Sequence, residues 1–140
     1  MTKMMRFFWT IVLLLPVSLW GQHRLEVVVS GVTSSEGSVL VALYSEASTF
    51  PKFEKVFRNA KAPAEVGSTT VVLEDVPAGE YALAVFHDEN GNDALDKNFL
   101  GLPKEDYGFS MAKTRTFGPP SFEDCLVVFR EDMTLTIPLE

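Results

Sequence analysis

The chain has 140 residues, a formal charge of −7 and a pI near 4.8, which suits one domain, or one domain behind an export signal. That length excludes most multidomain enzymes. With 46% hydrophobic and 22% charged residues the composition is that of a globular protein and excludes wholesale disorder.

Residues 1–21, MTKMMRFFWTIVLLLPVSLWG, place Lys3 and Arg6 ahead of an apolar run from Phe7 to Trp20, the pattern of a signal peptide. The run is shorter than the roughly 20 residues a membrane-spanning helix needs, and Pro16 interrupts it near its end. Cleavage after Gly21 is therefore expected, followed by a single domain over residues 22–140 in the periplasm or outside the cell, with no stable membrane anchor. No cysteine lies near the cut, so lipid attachment of the bacterial lipoprotein kind is not available. Cleavage would leave 10 Lys and Arg against 19 Asp and Glu, a charge of −9. Such a field repels a phosphate backbone, and nucleic acid is excluded as a partner. Cys125 has no second cysteine to pair with, and its neighbours Leu126 to Phe129 predict a buried thiol.

The domain reads as a series of short strands. Leu25, Val27 and Val29 alternate with Glu26, Val28 and Ser30 up to Gly31, the period-two pattern of a half-buried strand. Ser38 to Tyr44 is apolar on both faces, which predicts a central strand with a cover over its second face. Thr49 to Arg58 carries Phe50, Phe53, Val56 and Phe57 at helical spacing with Pro51 at the start, predicting a short amphipathic helix as that cover. Thr69 to Leu73 is a strand, Asp75 to Gly79 a turn, and Glu80 to Phe86 a strand with Tyr81, Leu83 and Val85 on one face. Met133, Leu135, Ile137 and Leu139 alternate with Thr134 and Thr136, predicting a strand with one wet face, and Leu126 to Phe129 is expected to be its hairpin partner. Together these predict an all-β protein, an antiparallel β-sandwich of six to seven strands with one short helix and a long aromatic loop.

The loop after the Tyr81 strand carries the chemistry. His87-Asp88-Glu89-Asn90-Gly91-Asn92-Asp93-Ala94-Leu95-Asp96 sets oxygen side chains at 88, 90, 92 and 96, the first, third, fifth and ninth places of a calcium loop. Alternate oxygens fold toward one centre, and the Ala94 carbonyl stands at the seventh place. The candidate metal residues are thus Asp88, Asn90, Asn92, Ala94 and Asp96, with weak calcium as the candidate cofactor. Place six is Asp93 rather than glycine, and place twelve is Phe99 rather than glutamate, so a further ligand must come from Asp96, from elsewhere in the chain, or from water. The alternative is a polar loop whose Asp and Asn side chains bond their own backbone. Glu105, Asp106, Glu123 and Asp124 are further carboxylates able to face Asp88 across the mouth of the sandwich.

The stretches AVFHDENGN, NFLGLPKEDYGFS and GPPSFED, in that order, resemble an exported bacterial family, the domain of unknown function 2141 family. The resemblance spans nearly all of the chain after the export segment. It implies a prealbumin-like or immunoglobulin-like sandwich and brings no established activity. Such sequences usually have glycine where this one has Asp93.

The first reading of function is an exported, non-catalytic binding or accessory module. Its loop end is stiffened by calcium, and His87, Tyr107, Phe109 and Phe122 are a possible ligand or partner surface for a protein or glycan. The second is a small-molecule carrier with a pocket under the aromatic loops. The third is a hydrolase, for which His87 beside Asp88 would supply a base.

Overall fold

The computed structural model describes residues 21–111 and 117–140. The expected export segment lies outside the described residues apart from Gly21. Among the described residues no helix is long and apolar enough to cross a membrane.

Two sheets face each other. In the first, β1 (Gln22–Val32) lies between β4 (Gly67–Pro77) and β8 (Met133–Pro138). In the second, the order is β3 (Arg58–Pro63), β2 (Ser38–Tyr44), β5 (Gly79–Asp88) and β6 (Tyr107–Phe109), and β7 (Val127–Phe129) pairs with the start of β5. The period-two pattern does the sorting. Val27, Val29, Val39, Val41, Leu83, Val85 and Ile137 all point between the sheets and are buried there. Burying one such side chain fully contributes roughly 1.5–3 kcal/mol. The fold is thus the expected β-sandwich, with eight strands among the described residues against the six to seven expected, two of them only three residues long.

Pairing differs from expectation in two places. β8 does not form a hairpin with Leu126–Phe129; it runs parallel to β1, Leu25 opposite Met133 through Ser30 opposite Pro138. β7 instead pairs antiparallel with β5, Tyr81 opposite Val127. Val127 and Phe129 bury their side chains against the β5 edge, so that burial decides the partner rather than closeness in sequence. The predicted turn at Asp75–Gly79 is also tighter than expected. β4 continues to Pro77, and a bulge sets Glu74 and Asp75 opposite Arg24 alone, with Asp75 at φ 56°.

The second face of β2 and β5 is covered, but not by a helix. Residues 49–57 form turns and one 3-10 turn, Phe53–Lys55, with extended backbone at Lys52 and Val56 on either side, and Arg58 already begins β3. The aromatic side chains that helical spacing would align go three ways. Phe50 enters a cluster with Tyr44, Phe109 and Phe122, Phe53 meets Phe86 edge to face at 4.9 Å, and Phe57 stacks on Tyr81 at 5.6 Å. Tertiary packing overrides the local pattern here. The small side chains Ala42, Ala82 and Ala84 let this outer layer lie close to the sheet, and Cys125 is buried within it as expected.

The two sheets are joined at one end by backbone hydrogen bonds between Tyr107 and Glu140, with Glu140 N–H donating to the Tyr107 carbonyl at 2.9 Å. Gly108 sits at this crossing, where a Cβ would stand 2.2 Å from the Pro138 carbonyl oxygen.

Candidate functional site

β5 carries its last residue into the loop as a buried anchor. Asp88 is fully buried, paired in register with Ser38. The β1–β2 turn presses against it: a Cβ on Gly37, which has φ 67°, would lie 1.9 Å from the Asp88 carbonyl oxygen. Only glycine allows that approach.

The Asp88 carboxylate organises the loop. Its Oδ1 accepts the Gly91 and Asn92 N–H groups at 3.0 and 3.2 Å, and its Oδ2 accepts the Asp93 N–H at 2.8 Å. Asn90 and Asn92 each accept a backbone N–H two residues on, from Asn92 and Ala94, and donate their side-chain amides to the two oxygens of Asp96. Asp93 holds φ 59°, the left-handed conformation that its place in a calcium loop requires, and its carboxylate is paired with Lys61 of β3 at 2.7 Å.

Four of the predicted metal residues, Asp88, Asn90, Asn92 and Asp96, are therefore brought into one hydrogen-bonded loop, with Ala94 tied in through its N–H. The loop closes on its own amides. Amide N–H groups of Asn90 and Asn92 stand against Asp96, where a cation would place its charge. Among the described residues no group of three or more His, Cys, Asp or Glu side chains is arranged to hold a metal ion. An ion here would draw on carboxylates, amide oxygens and the Ala94 carbonyl, a donor set of the kind calcium accepts.

Glu105 joins the loop from the far side of the connection. It accepts the Glu89 N–H at 3.3 Å and the Asp96 N–H at 3.1 Å. Burial pushes its carboxyl above the ordinary value, and the charges of Asp96 and Asp88 add to this against the two N–H bonds. Asp106 offers only its backbone carbonyl, to the His87 N–H. Glu123 and Asp124 lie instead in a 3-10 turn (Glu123–Cys125), where Ser121 and Asp124 bond each other.

His87 is 1% exposed, with Nε2 at 2.8 Å from the Glu36 carbonyl oxygen, so it faces the β1–β2 turn and not an open surface. The aromatic residues expected to present a surface are largely turned inward. Phe109 is buried, and Phe122 is half-buried against Phe50. The reason is the bare alanine face of β2 and β5, which offers these rings an apolar bed.

Tyr107 and Phe109 do have an open side. They and Ala84 form the floor of a cleft of about 630 Å³. Residues 51–54 make one wall, and Asp93 to Leu95 with Leu102 and Pro103 make the other. The second wall is a tight loop in which the Asn98 side chain accepts the Leu100 and Leu102 N–H groups at 2.9 and 3.0 Å. Phe99 and Leu100 stand out at its tip, 95% and 68% exposed. Sequence reasoning missed Phe53, Leu95 and Leu102 as cleft residues; the one signal was the long aromatic loop.

The architecture defines a β-sandwich with a structured loop end and a cleft on the outer face of its larger sheet. The chain belongs to the family described as "uncharacterized protein conserved in bacteria (DUF2141)", whose model matches residues 27–137. No curated protein and no solved structure matches it.

Proposed function

We propose that the protein is an exported, non-catalytic binding module that carries a small apolar ligand in the cleft between β5, the 51–54 segment and the 93–103 loop. The cleft itself carries this reading: about 630 Å³ falls within the roughly 300–1,000 Å³ typical of small-molecule sites, and its floor and walls are largely apolar. The buried polar side chains at this end serve structure. His87 is bound to the Glu36 carbonyl, and Ser110 Oγ bridges the Leu83 N–H and the Cys125 carbonyl. Neither stands as a nucleophile or base at the cleft. The Asp88–Asp96 loop is then the fixed wall against which the ligand packs.

The test uses phenylnaphthylamine, a neutral apolar dye that brightens out of water. Saturable binding by the mature chain, weakened by Leu102→Ser and by the bulkier floor of Ala84→Phe, is the expected result. No binding, or binding indifferent to both substitutions, overturns the reading.

The second reading, calcium stiffening of the loop, is favoured by the crowding of Glu105 against Asp96 and Asp88, which a divalent ion would relieve. At a Kd of about 10⁻⁴ M, calcium at a hundred times that level would add about 2.7 kcal/mol and raise the Tm by several degrees. Asp96→Asn is expected to abolish that rise. A melting curve unmoved by millimolar calcium disposes of the ion and leaves the cleft reading intact.

A further inference from the structure

The charges around the cleft define which apolar ligand it suits. Among the described residues four charged side chains line it: Lys52, Glu54, Asp93 and Lys97. Asp93 is already neutralised by Lys61 at 2.7 Å. Among the described residues Lys52 and Lys97 have no ion-pair partner, so the rim carries two ammonium groups against the single carboxylate of Glu54. This stands out in a chain whose acidic residues outnumber its basic ones, 19 to 12. The lysines come from opposite walls, Lys52 beside Phe53 and Lys97 at the base of the loop that bears Leu102, where it pairs across a bridge with Pro103. Both lysines are exposed at the rim, so a neutral guest gains nothing from them. A guest with one anionic group at its end would place that group between them, with its body on Tyr107 and Phe109.

We infer that the ligand is an amphipathic monoanion, an aromatic or acyl body ending in a carboxylate or sulfonate, held at the rim by Lys52 and Lys97. This rests on the reading of the cleft as a ligand site. The test therefore compares two dyes with the same aromatic body, anilinonaphthalene sulfonate and neutral phenylnaphthylamine, on the folded chain at low salt. The sulfonate is expected to bind about fivefold tighter, in line with two partly exposed charge contacts. Lys52→Gln with Lys97→Gln is expected to remove that preference, bringing the two dyes to equal affinity with the melting curve unchanged, and restoring charge with Arg at both positions to bring it back. Equal affinity for the two dyes, or a preference that survives the double substitution, overturns the inference and leaves the cleft reading standing. If neither dye binds, or both ignore Leu102→Ser, the cleft reading falls and this inference with it.

Discussion

At the scale of single residues, Glu105 shows how one carboxylate serves two purposes at a cost. It ties Glu89 and Asp96 together through their N–H groups, yet burial and the neighbouring Asp96 and Asp88 raise its carboxyl above the ordinary 4.5. A carboxyl raised in the folded state favours the protonated form there. Stability from this group is therefore greatest below the unfolded value, near 4.5, and falls as pH rises through the higher folded value. Glu105→Gln removes the titration and retains one carbonyl acceptor. In calcium-free buffer the Tm of the native chain is expected to fall more than that of the variant between pH 4 and pH 7; parallel curves would contradict this. That Asp88, Asn90, Asn92 and Asp96 act together in one loop was legible from their spacing. That their first partners are the loop's own N–H groups was legible only as an alternative, since spacing does not say whether an amide or an ion fills the centre.

At the scale of elements, strands were legible where apolar residues alternate strongly or run throughout, whereas β3 and β6 were not read as strands: RNAKAP carries only two small apolar side chains, and β6 is three residues long. β2 was read to the residue, from Ser38 to Tyr44, and β8 from its alternating Met, Leu and Ile. Pairing was not legible in the same way. A short strand such as β7 is recognised by composition, but whether it meets β5 or β8 depends on which edge is free, and that is set by residues far along the chain. The 49–58 segment failed for the converse reason: its spacing was helical, but the clusters waiting for Phe50, Phe53 and Phe57 lie in different directions. A pocket under the aromatic loops was only an alternative in the sequence, and its walls were not legible because they come from segments some 40 residues apart, 51–54 and 93–103. Where β6 crosses the end of β8, the fit leaves no room for a methyl group, a Cβ at Gly108 lying 2.2 Å from Pro138 O. Gly108→Ala is expected to cost about 1–3 kcal/mol, since backbone rather than a flexible side chain must yield. Denaturant unfolding measures it, and an unchanged midpoint would mean that β8 can slide away from β6 freely.

At the scale of the whole molecule, the outer face of the larger sheet gives the fold its asymmetry. The smaller sheet presents Thr134 and Thr136 to water, whereas the larger is roofed by aromatic side chains that leave a gap beside the loop end. A sandwich needs only one core, so this second apolar layer lies beyond what the fold requires. It supplies the bed on which the proposed ligand rests.

The parallel pairing of β1 with β8 has a consequence in time. Arg24 meets Asp132 across 108 residues, and every contact of β8 with β1 spans a similar stretch. The entropy of closing so long a loop is modest in equilibrium terms but slows the search, so refolding after dilution from denaturant is expected in milliseconds to seconds, readable by stopped-flow tryptophan-free fluorescence of a bound dye or by circular dichroism. Until β8 arrives, Val27 and Val29 lack their neighbours on that side, and the unfinished sandwich has an open seam. A sandwich that seals only when β8 docks beside β1 therefore stays threadable until late in its folding.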